Sequence, residues 1–295
     1  MTTDKLKLDD KCSAVMTDIT TAVIKAIESG VAPWQKPWAN RAGAEQPTNL
    51  ATKAEYRGLN SLYLSMLGGA FGCDFWIGYG QAKKLKGHVR KGEKSTAILA
   101  PMIRKGEDKK TGEAYQYVSG FRVVRIFNAT QCDGLTIPTA ETFEPRTIDA
   151  GALDQFAINT GADIRHGGDR AYFDFVNDYI QLPEQDQFNT AGGYYGTKLH
   201  ELTHWTGHKS RLDRFNKKTG RTSYAFEELV AELGAYYLSE RIGCPNESVN
   251  HASYLDNWLK AMKGDIKYLW QAASKAEKAA GYLLELQNKK DAEAA

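Results

Sequence analysis

The chain lacks any apolar run of the ~18 residues that a helix needs to cross a bilayer, which excludes a helical membrane span. Its first residues, MTTDKLKLDDK, lack the apolar core and small-residue cleavage site of a secretory signal, so the cytoplasm is the expected compartment. Cysteine is sparse. Cys12, Cys73, Cys132 and Cys244 lie far apart and form no C-x-x-C pair, which argues against a disulfide framework and a cysteine-based zinc site. No internal repeat, helix-turn-helix or RNP pattern occurs. Large net charge is missing too, at +2 over 295 residues, of which 42% are apolar and 25% charged. These proportions are ordinary for a globular protein long enough for one large domain or two of usual size.

The near-neutral total conceals a local imbalance. Between Lys83 and Arg125 there are twelve basic and four acidic residues, a net of +8, so the rest of the chain carries −6. A basic block in an otherwise acidic chain points to a polyanionic partner. Aromatic residues accompany it: Trp34, Trp38, Tyr56, Tyr63, Phe75, Trp76 and Tyr79 are interleaved with or adjacent to Lys36, Arg57, Lys83, Lys84, Lys86, Arg90 and Lys91. Cations beside aromatic rings can track a single strand and stack its bases. The same composition equally suits an aromatic core made soluble by surface lysines.

Apolar spacing predicts a helix over 11–29, closed by Gly30, then a Pro- and Gly-rich aromatic loop. A short helix is expected over 58–68, another from near Gln81 to Gly87, and two strands, Ser95 to Arg104 and Tyr115 to Phe127, around a polar turn from Lys105 to Gly112. This makes a first α+β domain over 1–135. Residues 136–150 carry two prolines and read as a linker, with the second domain over 151–295. There the pattern predicts a helix from Leu153 to Asn159 and strands over Ala162 to His166 and Arg170 to Leu182, the latter turning at Asn177-Asp178. Helices follow over Ala191 to Trp205, Tyr224 to Ile242, and Ser253 to Leu286 with breaks near Gly264 and Gly281.

Histidine is also scarce, six in all, yet two of them fall in His200-Glu201-Leu202-Thr203-His204. This H-E-x-x-H pattern places two imidazoles one helical turn apart on the same face, where both can bind one zinc ion. Glu201 between them is placed as the general base that deprotonates water at the ion. A third protein ligand is needed. His208 extends the row to i+8 but lies ~12 Å from His200 along a helix axis, too far to converge on one ion. The extended pattern H-E-x-x-H-x-x-G-x-x-H matches as far as Gly207, but its last position is Ser210, a poor ligand. The acidic run Glu227-Glu228-Leu229-Val230-Ala231-Glu232 offers a carboxylate from a following helix. Glu228 is assigned as ligand and Glu232, one turn on, as the group that orients a ligand histidine. Ala231, Gly234 and Ala235 would let the two helices approach closely. Asp178 to Pro183 is expected as a sheet edge that could pair with a peptide substrate. Tyr224 and Tyr236 are candidates for an oxyanion donor, against the commoner role of a tyrosine in the core with its hydroxyl satisfied.

The motifs PWQKPW (Trp34 is its first Trp), YRGLNSLYL from Tyr56, Gly87 to Lys94, Phe121 to Asn128 with Gln131, LHELTHWTGHKSRLDR from Leu199 and YAFEELVAELGA from Tyr224 resemble the ArdC family of plasmid antirestriction proteins over nearly the whole chain. The resemblance implies a single-stranded-DNA-binding domain followed by a zincin-like metallopeptidase domain, and protection of incoming plasmid DNA from host restriction during conjugation. It implies His200, His204 and Glu228 as ligands of Zn2+, or of another divalent ion such as Mn2+, with Glu201 as base. The expected DNA contacts are Trp34, Arg57, Tyr63, Trp76, Lys83, Lys84, Lys86, Arg90, Lys91, Lys94 and Arg122. A protein of the host restriction system is a further expected partner; a membrane is not. The competing expectation is a non-catalytic single-strand binder whose metal site is structural. A nuclease fits less well, because the motif offers one metal and phosphodiester cleavage often uses two.

Overall fold

The structure is a computed structural model that describes residues 9–30, 32–34, 46–107, 112, 114–138, 148–215, 222–244 and 252–294. Trp38, Lys36, the tip of the expected 105–112 turn with Lys109 and Lys110, and most of the expected linker lie outside the described residues. The chain divides into two compact units: Met1–Lys25 with Ala39–Phe143, and Ala26–Trp38 with Glu144–Ala295. Trp34 therefore groups with the second unit.

The first unit begins with α1 (Asp10–Glu28), whose final turn passes to the second unit. There follow β1 (Thr48–Asn49), α2 (Gly58–Phe71), β2 (Phe75–Gly78), α3 (Tyr79–Lys84), β3 (His88–Val89), β4 (Thr96–Glu107), β5 (Ala114–Asn128) and β6 (Cys132–Asp133). The main sheet has the order β1-β2-β5-β4, with β1 parallel to β2 and the other pairs antiparallel; β3 pairs with β6. Alternate residues of a strand face opposite sides. In β2 this sends Trp76 to a core with Leu64 of α2, Ile98 and Ile126, and Phe75 and Ile77 to a second core with Leu50, Ala82 and Cys132. A strand apolar on both faces loses its alternation, so β2 was not legible as a strand.

The second unit adds α4 (Ala150–Thr160), β7 (Asp163–His166), β8 (Tyr172–Asp174), β9 (Tyr179–Leu182), α5 (Ala191–Trp205), α6 (Thr222–Ile242), α7 (Ala252–Gly264) and α8 (Lys267–Ala294). The expected turn at Asn177-Asp178 is present. Asp178 adopts a left-handed φ of +59°, which Asp tolerates, and the Asp174 carboxylate accepts from the amides of Val176 and Asn177. One expectation is corrected: β9 is the middle strand, parallel to β7 and antiparallel to β8, so both its edges are paired. A second correction concerns Gly281. α7 does end at Gly264, but α8 runs through Gly281 unbroken, since one glycine costs only ~1 kcal/mol in a helix already held by packing. All four cysteines are buried, and none is in a disulfide.

Helix α6 packs on both α5 and α8. At the α5–α6 crossing a Cβ on Gly234 would stand 2.4 Å from Cγ2 of Thr203. The expected close approach thus depends chiefly on one glycine. Gly234→Ala should cost about 1–3 kcal/mol by overpacking. Urea unfolding measures this, and most of the loss should return when Thr203→Ala is added.

Candidate metal centre

Thr190 caps the start of α5 by accepting from the Gly193 amide at 2.9 Å. The helix then carries His200, Glu201 and His204 in its last two turns, all buried. The i, i+4 spacing brings the two Nε2 atoms to 3.1 Å. From α6, the Glu228 carboxylate places Oε2 at 3.5 Å from His200 Nε2 and Oε1 at 3.5 Å from His204 Nε2. These three residues are the group that could hold a metal ion among the described residues. A tetrahedral ion with bonds of ~2.0–2.1 Å sets its ligand atoms ~3.3 Å apart, so a single ion fits the triangle. Two neutral-capable imidazoles and one carboxylate are also a donor set that zinc accepts in sites with an open position.

The other expected residues sort by geometry. Glu232 Oε1 lies 4.0 Å from Nδ1 of His200, on the side away from the triangle, as a residue orienting that ring would. Glu201 keeps Oε2 buried without a hydrogen-bond partner among the described residues, leaving that oxygen open to a proton. His208 turns away: its Nδ1 is 2.8 Å from Ser210 Oγ and 3.6 Å from Asp178. Tyr236 is removed as an oxyanion donor because its buried hydroxyl donates to Glu240 at 2.6 Å. Tyr224 stays beside the site; partial burial, then the charge of Glu228 and a hydrogen bond with Tyr254, push its hydroxyl well above the usual tyrosine value.

Two residues in this network carry no assignment from the motif. Glu227 places Oε1 3.6 Å from Nδ1 of His204, so each histidine has a carboxylate behind it. Arg214 grips Glu227 through Nε and Nη2 at 3.1 and 2.7 Å, and also donates to the Thr203 carbonyl and to Thr206 Oγ1, each at 2.6 Å. One guanidinium thus ties the end of α5 to α6. Glu227 adjoins Glu228 in sequence but meets a different edge of the site, and its burial and its contacts with His204 and Arg214 separate it from a surface acid. The Asp178 turn is held to the same end of α5 by Arg211, which also caps the Trp205 carbonyl and lies 3.9 Å over the Trp205 ring.

The charges are strongly coupled. Burial opposes a charge on His204, but hydrogen bonds with Glu227 and Glu228, with the charges of Glu228 and Glu201, lift its pKa from 6.5 to about 10. Burial likewise opposes charge on Glu228, and the two histidines overcome it and hold that carboxyl far below its usual 4.5. In protein stripped of metal, the raised His204 stabilises the fold fully below pH 6.5 and loses that contribution as pH climbs toward about 10. The lowered Glu228 contributes above pH 4.5 and loses it as pH falls. Stability without metal should therefore peak between those two values. Because a ligand histidine must be neutral, metal uptake at pH 7–8 should expel about one proton per ion. Calorimetry in buffers of different ionisation enthalpy measures that number, and a buffer-independent heat would contradict it.

The expected DNA contacts divide into two sets. Trp34 is buried and packs edge-on against Trp258, with ring centroids 5.6 Å apart, and Trp76 is fully buried between α2 and the sheet. Neither ring can stack on a base, which corrects both assignments; these two tryptophans are core. Tyr63 is half-buried. Arg90 is exposed but spends its charge on Glu93 at 2.7 Å and Asp133 at 3.3 Å. Arg57, Lys83, Lys84, Lys86, Lys91, Lys94 and Arg122 are exposed, most of them on α3 and the segment up to β4.

Residues 151–275 match the family model of a zincin-like metallopeptidase, which defines the class of the second domain. Residues 13–129 match the model of the N-terminal domain of anti-restriction factor ArdC. The chain belongs to the ArdC family of antirestriction proteins. The metal-free crystal structure of ArdC from plasmid R388 superposes with a TM-score of 0.76 at 39% identity, over 93% of this chain and 98% of that one. The Mn(II)-bound structure of the same protein gives 0.72 at 37% identity, over 92% and 97%. Two Escherichia coli proteins named DNA primase TraC are 35% and 34% identical over 92% of this chain, which spans only 27% and 20% of their lengths. The Sinorhizobium fredii protein y4eC is 32% identical over 93% of this chain and 94% of its own. Donor set, zincin-like domain and relative together fit a divalent ion, zinc or manganese. Among the described residues, no helix is long and apolar enough to cross a membrane.

Proposed function

We propose that this protein works in the cytoplasm. There its first domain (1–135) binds single-stranded DNA without sequence preference, and the protein protects incoming plasmid DNA from host restriction during conjugation. Its second domain (151–295) is a metal-dependent peptidase. His200, His204 and Glu228 hold the ion, which supplies Lewis-acid activation of a peptide carbonyl and of water. Glu201 accepts the proton of the attacking water and passes it to the leaving amine. Glu232 and Glu227 orient His200 and His204. Tyr224, beside Glu228, is the remaining candidate to donate to a developing oxyanion, and its hydroxyl would have to leave Tyr254 to do so. An extended peptide would pair with an outer strand, β7 or β8, because β9 is enclosed. The observation that carries the reading is the buried triangle beside the open carboxylate oxygen of Glu201.

A second reading keeps the DNA binding and makes the metal structural. The recurrence of this region within the much longer TraC proteins, named for a DNA reaction, favours it. Element analysis of the purified protein tests the metal site, and Glu201→Gln separates the two readings. For DNA, affinity for a labelled single strand should fall steeply between 50 and 200 mM salt, by about 0.7 log unit per tenfold salt for each phosphate contacted. A flat response would remove nucleic acid as the partner of the basic domain.

A further inference from the structure

We propose that the outer half of the β4–β5 hairpin is a base-stacking arm for single-stranded DNA, with Tyr115 and Tyr117 as its platforms and Arg104 as its phosphate contact. The proposal rests on the reading that the first domain binds single strands, and it assigns that binding to residues on neither of the expected lysine and tryptophan positions.

The two strands leave the core together. From Pro101 on β4 and up to Val118 on β5, the described residues are exposed, apart from a half-buried Gly106, and no other strand of the sheet pairs with either. Residues directly opposite each other in an antiparallel pair share a face. Tyr117 opposes Arg104, and Tyr115 opposes Gly106. One face of the arm therefore carries two tyrosines two residues apart, 48% and 37% exposed, beside a guanidinium. The rings are tilted by 42° with centroids 5.9 Å apart, so each presents its own surface to solvent. Gly106 makes this arrangement possible. A Cβ there would stand 2.8 Å from Cζ of Tyr115, which means that the ring lies across the bare backbone with its other side outward.

The occupant follows from charge and from the edge. Arg104 and, nearer the core, Arg122 lie on this face, and no described β4 or β5 position of that face is acidic; Glu107 falls on the opposite face. Rings interleaved with cations suit a flexible polyanion with exposed π-faces. A strand from a second protein is disfavoured along the free edge of β4. Pro101 has no N–H to donate, the register shifts between Met102 and Ile103, and Lys105 adds charge. A duplex keeps its base faces inside the stack and could meet only the cations of this face, not the rings.

The test is anisotropy titration of the full-length protein with a labelled oligothymidylate and with a duplex of equal length. Tyr115→Ala/Tyr117→Ala should lower single-strand affinity about five- to a hundred-fold per ring that stacks, with the salt slope unchanged and the duplex affinity unaltered. Tyr115→Phe/Tyr117→Phe should bind as wild type, since stacking needs the ring and not the hydroxyl. Arg104→Ala should lower the salt slope by about 0.7, the value for one phosphate on a single strand. Gly106→Val should mimic the loss of Tyr115 by lifting its ring. Thermal unfolding equal to wild type excludes a folding defect at these exposed positions. If wild type binds strongly and the double alanine variant binds equally, the arm is not the platform, although the domain still binds DNA. If wild type itself does not bind, the reading of the domain fails and the arm's role with it.

Discussion

Glu201→Gln is expected to reduce peptide hydrolysis by about 10²–10⁴-fold while the bound metal remains. The amide keeps the size of the carboxylate and so leaves His200, His204 and Glu228 in place, but it cannot accept a proton. The prediction follows from burial: Oε2 of Glu201 has no hydrogen-bond partner among the described residues, so no neighbour already occupies the lone pair that the proton would take. Two assays on the same preparation are required. Cleavage of a fluorogenic peptide library reports the chemistry, with metal content by element analysis as its control. Protection of unmodified DNA entering a restricting host reports the biological effect. Loss of both would tie protection to proteolysis. Loss of cleavage with full protection would leave the first domain as the protective element and reduce the metal to a structural role.

Glu227→Ala should produce the largest loss of stability of any single change near the site, about 3–5 kcal/mol. Arg214 is almost fully buried, and Glu227 supplies the carboxylate that neutralises it. Arg214 also lowers the pKa of Glu227, together with His204, against the opposing effect of burial. Removing that acid leaves a charge in the interior with only a carbonyl and a hydroxyl to face it. The same change strips His204 of the carboxylate at its Nδ1, and metal affinity should drop by about 10–100-fold. Denaturant unfolding at fixed metal concentration and competition against a chromogenic chelator measure the two effects. The double change Glu227→Leu/Arg214→Met should recover much of the stability, because a buried pair replaced by apolar groups of similar volume costs little. It should not recover the metal affinity. A Glu227→Ala protein that unfolds like wild type would show that Arg214 finds water or another partner.

The readings that succeeded from the chain alone depend on short-range geometry. An i, i+4 pair of histidines meets on one face of any helix, so His200 and His204 needed only the helix, which Thr190 and Gly207 bracket in sequence. Glu228 was reachable because the acidic run sits on the next helix in the chain, and α6 brings that carboxylate within 3.5 Å of both imidazoles. The hairpin β4–β5 and the Asn177-Asp178 turn were likewise local. The readings that failed needed knowledge of what lies on the far side of a residue. Trp34 and Trp76 have the composition of a stacking platform, yet one packs on Trp258, more than 200 positions away, and the other closes a sheet face on α2. The sheet order that encloses β9 joins strands by a parallel pairing that leaves no mark in alternation.

By itself, then, the sequence determined the helix that carries His200 and His204 and the helix of the acidic run after it, because helical period and turn chemistry act over a few residues. Only the tertiary structure decided which carboxylate stands behind which histidine, that Arg214 fastens α5 to α6, and which aromatic rings remain in solvent. Burial and electrostatic pairing are set by groups distant in sequence, and a residue's type is the same whether its ring faces water or a core.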